Sequence, residues 1–355
     1  MKIRIQDLCA KRENDYESFV LSFPSSLLYQ SMSYRHLIEE TIHGQSRYLI
    51  AVNEENQIVG ALPAFMSDDK GLGRTLNSLP FFGSNGGVIT GDNTGLVAKK
   101  LLNEFNRIAK ESHCVSSTII TSPLDSSIAI YEEEYDHDFK DKRIGQITAL
   151  PKYHENLEDN LLAIYHPKTR NAIRKAERSG FELHVQSNIN YLQFIFTTHQ
   201  DNMMEIGGKS KPWKFFESLP KYFKEGGDYS LYIATLRGQA VSALLVFWYN
   251  KTAEYFTPAT VKNYRSLQPA SWLIYRAMRD AVRRGMNYWN WGGTWLNQGG
   301  VYDFKKRWAT VDYPYYYYTR VYDGEILKKS RDELLASFPN FFVVPFSALN
   351  LANQK

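Results

Sequence analysis

Cysteine is almost missing from this chain: Cys9 and Cys114 are the only two in 355 residues, and they stand far apart. Neither a disulfide framework nor a cysteine-rich zinc site can be built from them, which predicts a reducing compartment. Net charge is nearly missing too. The 42 basic residues exceed the 38 acidic ones by four, too few for the whole surface to attract nucleic acid, so no DNA partner is expected. The longest apolar run, residues 243–249, has strand length, and residues 1–19 lack the apolar centre of a signal peptide. No transmembrane segment and a cytoplasmic location are therefore expected. The eight histidines show no paired ligand spacing, so no metal is expected, and His166, His184 and His199 read as structural or exposed.

What is present belongs to a folded protein. Hydrophobic residues make up 43%, aromatics 14% and charged residues 23%, which excludes disorder, collagen and coiled coil as global descriptions. The length is about twice the common domain size and favours two domains.

An internal repeat supports that division. QIVGALPAF (57–65) aligns without gaps on QAVSALLVF (239–247), and each segment reads as the second strand of a hairpin. The first hairpin pairs 47–52 with 57–65 across Asn53-Glu-Glu-Asn56. The second pairs 229–236 with 239–247 across Arg237-Gly238, and a third strand follows near 253–259. A helical pattern comes after each hairpin, at about 94–110 and at 269–284, and then a strand, at 117–121 and at 287–291. The expected fold is α/β (α+β): two domains, 1–150 and 151–355, each a mixed, mainly antiparallel sheet flanked by helices. The sheet should turn locally parallel where a helix crosses over.

Four constellations carry candidate chemistry. Residues 168–178 hold five basic residues against Glu177. Arg170, Arg174 and Arg178 recur every fourth residue and form one column, with Ala172, Ile173 and Ala176 toward the core. A column of like charges suits a phosphate or carboxylate ligand, and Lys175 belongs to the same group; the bland alternative is a solvated basic face. Next, RSLQPASW (265–272) runs into a helix start, whose free N–H groups suit pyrophosphate. Arg265 and Gln268 are the candidate contacts, although Pro269 also fits an ordinary helix start.

The third, NWGGTWLNQGGVYDFKKRW (290–308), places two glycine pairs before an aromatic and basic segment. In a helix here, Lys305 lies one turn past Val301 and Tyr302, and its ammonium could support a carbonyl oxyanion or bind a phosphate. An exposed surface lysine is the plain alternative. The fourth is aromatic: Trp289, Trp291, Trp295, Trp308, Tyr313 and Tyr315 to Tyr318. Such residues in strands mostly pack cores, and otherwise offer a stacking surface for a base or sugar. The apolar stretch 338–351 reads either as core or as a contact for a partner or a membrane surface.

The order TRNAIRKAERSGFEL (169–183), a hairpin, YRSLQPASWLIYRAMRDAVRRGMNYWNWGG (264–293) and GGVYDFKKRW (299–308) resembles the FemAB and related GNAT-like acyltransferases. Residues 265–270 likewise resemble the GNAT coenzyme A pyrophosphate loop, with Gln268 where its first glycine would stand. The resemblance implies two tandem GNAT-like domains with transfer at the second. It also implies that Lys305, beside Phe304, lies at the donor or transition-state site. No sustained heptad run matches the helical arm of some peptidoglycan members.

The function this implies is acyl or aminoacyl transfer from acyl-CoA or aminoacyl-tRNA to an amine of a cell-envelope or nucleotide-linked sugar or peptide precursor, without a tightly bound cofactor. Lys305 would donate to the oxyanion, with Asp303 or Glu254 taking the amine's proton. Arg170, Arg174, Lys175, Arg265, Gln268, Tyr302 and Phe304 would bind donor or substrate. No nucleophile set of the Ser/His/Asp or Cys/His kind can be assembled, which leaves direct attack. The alternatives are an RNA-binding module and a noncatalytic GNAT-like scaffold; tRNA and peripheral membrane contact remain open as partners.

Overall fold

The computed structural model describes residues 2–80, 85–125, 128–294 and 299–349. The chain divides into two compact units, the first made of Met1–Arg143 with Pro314–Lys355 and the second of Ile144–Tyr313.

The first unit begins with β1 (Arg4–Asp7), α1 (Glu13–Leu21), α2 (Met32–Thr41) and the short β2 (Gln45–Ser46). The hairpin β3 (Leu49–Val52) and β4 (Ile58–Leu62) follows, then β5 (Phe65–Met66), β6 (Arg74–Asn77), β7 (Ile89–Thr90), α3 (Leu96–Glu111), β8 (Cys114–Ile120) and α4 (Ile128–Glu134). Strand β9 (Phe139–Ala149) carries the chain into the second unit. That unit holds α5 (Leu157–Ile164), α6 (Pro167–Glu177), β10 (Glu182–Val185), α7 (Ile189–Glu205), α8 (Trp213–Tyr222), β11 (Tyr229–Leu236), β12 (Gln239–Tyr249) and β13 (Thr252–Thr260). It ends with α9 (Pro269–Arg283), β14 (Tyr288–Thr294) and α10 (Gly299–Lys306). Strand β15 (Thr310–Val321) returns to the first unit, which closes with α11 (Arg331–Ser337) and α12 (Phe346–Leu349).

In the first unit one sheet has the order β1-β3-β4-β7, and β8-β6-β5-β2 form a second group in which β6 and β8 are parallel. Leu101, Leu102, Phe105 and Ile108 recur at helical spacing, so α3 buries one continuous apolar face against β3, β4 and β8. A Cβ on Gly60 would run into Val97 of α3, so the glycine is what lets the helix close on β4.

The tail differs from the expected second domain of 151–355, because residues from Pro314 onward belong to the first unit. The reasons are a ladder and a grip. Tyr317–Val321 of β15 pair antiparallel with Ser116–Ile120 of β8. Asn77 accepts from Phe342 N at 2.9 Å and donates to Phe342 O at 2.8 Å. Phe338, Phe341, Phe342, Val343 and Val344 are buried, so this part of the apolar tail finishes a core.

In the second unit the order is β10-β11-β12-β13-β14-β9. All neighbours are antiparallel except β13 and β14, which α9 joins as a parallel pair. The β11–β12 turn fits its residues, since Arg237 and Gly238 both take positive φ, 53° and 78°, as a two-residue hairpin demands. Tyr255 and Val246 face the core shared with α9, while Phe247 and Phe256 meet each other and Phe256 stacks on Phe215 of α8. Among the described residues no helix is long and apolar enough to cross a membrane.

Candidate active site

Helix α6 starts cleanly. His166 caps it by accepting from Lys168 N at 3.1 Å, and Pro167 occupies the first turn, where its missing N–H costs nothing. Thr169, Ile173 and Ala176 are its buried face. The arginine column does not act as one surface. Arg170 donates to the carbonyls of Tyr165 (2.7 Å) and Leu162 (3.4 Å), closing the end of α5. Arg174 is exposed, and its carbonyl accepts from the Arg178 guanidinium at 3.2 Å. The neighbouring face, Lys168, Asn171, Ala172 and Lys175, lines a cavity of about 310 Å³. Ala172 thus faces the cavity rather than the core.

The second wall is the start of α9. Gln268 lines the cavity with Ser271, in a left-handed conformation at φ 65° and ψ 36°. Glycine takes this conformation freely and other residues only at a cost, so Gln268 adopts the glycine shape without being one. Its amide helps hold it, donating to Arg265 O at 3.2 Å and accepting from Ser271 Oγ at 3.4 Å. No acidic side chain stands in the first turn of α9. Arg265 is not on this wall: it pairs with Glu205 at 2.7 Å, beside Lys262 at 3.1 Å from the same carboxylate.

Phe304, Arg307 and Trp308 make the third wall. The Arg307 carbonyl accepts from His166 N (3.0 Å) and Thr169 Oγ1 (3.1 Å), which ties α6 to the residues after α10. The lining therefore carries three cations, Lys168, Lys175 and Arg307, and no carboxylate. Arg307, Lys168, Asn171 and Ser271 escaped the sequence reading. Arg307 stands two residues past Lys305 in the same basic run, the one signal that could have found it.

Near this cavity in sequence, the sheet forks. The parallel β13–β14 ladder pairs Thr252–Glu254 with Tyr288–Asn290 and ends there. Beyond it β14 kinks: its register with β9 shifts between Asn290 and Gly293, and Gly292 takes φ 72°. Strand β13 bulges between its partners Leu245 and Val246. Glu254, 1% exposed, sits at the fork, and its Oε2 accepts from Asn290 Nδ2 at 2.9 Å. Asn290 is oriented in turn by Gly292 N, which donates to its Oδ1 at 2.9 Å.

Lys305 reaches the far end of β14. It is 6% exposed, and its ammonium donates to Thr294 Oγ1 (2.9 Å) and Gly293 O (3.2 Å). Thr294 passes its own proton to Gln146 Oε1 at 2.9 Å, and the Gln146 amide donates to Tyr302 O at 3.2 Å and Thr310 Oγ1 at 3.3 Å. Among the described residues no carboxylate pairs with Lys305, and burial lowers its pKa to about 8. Lys305 is not on the cavity wall; Phe304, Arg307 and Trp308, one helical face round, are.

Asp303 is exposed and two positions from Lys305, on the opposite side of the helix. Tyr302 donates to Asp312 Oδ2 at 2.6 Å, and Lys306 meets the same carboxylate at 3.4 Å. That bond to Asp312 raises the phenol's pKa. Trp289, Trp291 and Trp308 are buried and in contact through Trp291, and Tyr315, Tyr317 and Tyr318 are buried as well. Trp295 lies outside the described residues. Among the described residues no group of three acidic, histidine or cysteine side chains is placed to hold a metal ion.

Residues 167–306, from the first residue of α6 to the last of α10, match the family model described as an acetyltransferase (GNAT) domain. No curated protein sequence matches the chain. Among solved structures the chain is similar to FemX, with TM-score 0.72 and 14% identity over 92% of this chain and 99% of that one. It is also similar to a tandem GNAT protein from the clavulanic acid biosynthesis pathway (TM-score 0.55, 9% identity, 90% and 98% covered). A third likeness is to the C-terminal domain of a putative lysylphosphatidylglycerol synthetase from Agrobacterium fabrum (TM-score 0.55, 10% identity, 94% and 99% covered). Residues 167–306 thus match a GNAT acetyltransferase domain, and the chain as a whole shares the fold of FemX and of the tandem GNAT protein.

Proposed function

We propose that the second unit transfers an acyl or aminoacyl group from a phosphate-bearing donor, acyl-CoA or aminoacyl-tRNA, to an amine of a cell-envelope or nucleotide-linked sugar or peptide precursor on the cytoplasmic side. One observation carries the reading: three cations and no carboxylate line a cavity into which the start of α9 opens. A helix start and a cluster of cations both favour phosphate oxygens. The fold shared with a putative lysylphosphatidylglycerol synthetase supports an aminoacyl group as one version of the cargo.

Chemistry belongs at the fork. The acceptor amine attacks the donor carbonyl carbon, forming the C–N bond; collapse of the tetrahedral centre breaks the C–O or C–S bond. The departing oxygen or sulfur takes up the proton removed from the amine and leaves as the free alcohol or thiol of the donor. Glu254 takes the amine's proton, held in aim by Asn290. The third N–H of Lys305 supports the oxyanion while Gly293 and Thr294 occupy the other two. Their anchor points, Asn290 and Gly293, stand three positions apart on β14. Lys168, Lys175 and Arg307 hold donor phosphates. Asp303 and Arg265 take no part, the first facing outward and the second engaged with Glu205.

Native mass spectrometry against acyl-CoA, charged tRNA and nucleotide-linked sugars tests this. Retention of one donor, with amide product on adding an amine acceptor, is expected. Retention of no donor overturns the reading, and tRNA retained without any turnover replaces it with an RNA-binding module.

A further inference from the structure

The support of Lys305 comes from outside the matched domain. Residues 167–306 hold the lysine and Thr294, but Gln146 stands on β9 and Thr310 on β15. Gln146 is fully buried. The register shift of β14 falls opposite it, between the partners Ile147 and Gly145, so its side chain meets the strand where the strand kinks.

The directions of its bonds follow from the chemistry of the groups. An ammonium only donates, so Thr294 Oγ1 accepts from Lys305 at 2.9 Å and has one hydrogen left to give. That hydrogen goes to Gln146 Oε1 at 2.9 Å. A carbonyl only accepts, so Tyr302 O, at 3.2 Å, requires the NH2 side of the amide. Thr310 Oγ1 takes the second amide hydrogen at 3.3 Å. A flipped amide would set oxygen against the Tyr302 carbonyl, so one orientation alone satisfies every group. Tyr302 precedes Lys305 by three positions on α10, close to one turn. The bonds therefore close a ring, from the lysine through Thr294 and Gln146 to the backbone of the lysine's own helix.

We propose that Gln146 is a positioning residue for the transfer: by orienting the Thr294 hydroxyl and tying the end of β14 to α10, it holds the Lys305 ammonium with its remaining N–H toward the oxyanion. The inference rests on the reading of Lys305 as the oxyanion donor. Linked hydrogen bonds polarise one another, so a Thr294 hydroxyl that donates to Gln146 is a better acceptor for the ammonium. The charges around it are otherwise engaged. Tyr302 and Lys306 meet Asp312, Asp303 is exposed and Arg307 lines the cavity, while β14 carries no charged residue and β9 none after Arg143.

Kinetics and NMR titration of the lysine side chain test the proposal. Gln146→Met keeps the volume and removes the bonds. It should lower kcat about tenfold with donor KM within about twofold, and move the basic limb of the pH–rate profile to lower pH, because the ammonium loses support. In the Lys305→Ala background the same substitution should change kcat less than about twofold, since the group it acts through is gone. Thr294→Val should behave as Gln146→Met does, and Thr294→Ser should keep the wild-type rate within about threefold; this pair decides if Gln146→Met does not fold. Thr148→Val breaks buried bonds to Trp308 O and Trp291 Nε1 on the same face of β9 and should leave the limb in place. A tenfold loss that persists in the Lys305→Ala background overturns the proposal, as does an unmoved limb in folded Gln146→Met.

If the wild type shows no turnover, or Lys305→Ala turns over within twofold of it, the oxyanion reading fails. The ionisation midpoint of Lys305, followed by NMR at its Cε, then decides the positioning by itself. A midpoint at least about half a unit lower in Gln146→Met or Thr294→Val than in the wild type supports it. Equal midpoints overturn it.

Discussion

Helices α3 and α9 occupy the same place in the two repeats, each between a β-hairpin and the next strand, and each enters its helix through a left-handed residue: Gly95 at φ 76° and Gln268 at φ 65°. Their N-termini differ in what meets them. At α3, Asp92 turns back, accepting from Thr94 N at 3.0 Å and Val97 N at 2.9 Å, so the chain's own carboxylate occupies the positive end of the helix. At α9 no acidic side chain stands in the first turn, and Lys168, Lys175 and Arg307 face the same cavity as Gln268. One scaffold can thus be closed by a single aspartate or kept open for a phosphate. On the proposed function, that difference gives the first repeat structural work and the second the chemistry.

The largest effect should come from Lys305→Ala, which is expected to lower turnover about 10²-fold, the usual cost of losing one oxyanion donor. A variant within twofold of wild type would remove the residue that most separates the two units. The pH dependence has a definite sign. Folding lowers the Lys305 pKa from its ordinary 10.5 to about 8, so the folded state sheds this proton first and the group's contribution to stability rises with pH between those values. Activity that needs the ammonium falls as pH passes about 8, and a pH–rate profile without that limb contradicts the role.

Glu254→Gln follows, with a loss of about 10² in kcat, the lower end of general-base contributions; retention of full kcat would send the search for a base elsewhere. Lys175→Glu should weaken donor binding about tenfold at low salt and less at high salt, since an exposed cation acts through a screened field. A loss independent of salt would point to damaged packing of α6. Smallest is Asp92→Ala in the first unit, expected to cost about 1 kcal/mol of stability as a lost helix cap, with kcat/KM unchanged. The Thr94 hydroxyl and the Val97 N–H hold the Asp92 carboxyl below its usual range, so its contribution is present above the unfolded pKa and fades as pH falls through the folded one. Lower turnover in Asp92→Ala would show that the first repeat is not purely structural.

The sequence made the repeat legible because both hairpins keep a strand-length apolar run and both helices keep a broad apolar stripe. β11 is found at Tyr229–Leu236, where the alternation predicted it. Helices α7 and α8 and strand β9 were not legible, because β9 mixes charge with small residues and α7 buries only a few positions. In the site, Lys175 on the basic helix, Gln268 at the start of α9 and Phe304 were named from the sequence and line the cavity, whereas Lys168, Asn171, Ser271 and Arg307 on the same lining were not. Fourfold spacing selected Arg170 and Arg174, but tertiary structure spends Arg170 on the carbonyls that end α5, a partner no local pattern reveals. Gln268 stands where the coenzyme A loop it resembles has its first glycine. The structure gives it the glycine's conformation, held by bonds to Arg265 and Ser271.

The most direct test is the affinity of acetyl-CoA and of charged tRNA for the wild type and for the double variant Lys175→Glu/Arg307→Glu, with Asp92→Ala alongside. The account predicts that the double variant loses the donor that the wild type binds by about 10²-fold, two charge-assisted contacts, while Asp92→Ala keeps it within twofold. A double variant that binds that donor as tightly as the wild type would contradict the claim that the second unit's cavity holds the donor's phosphates.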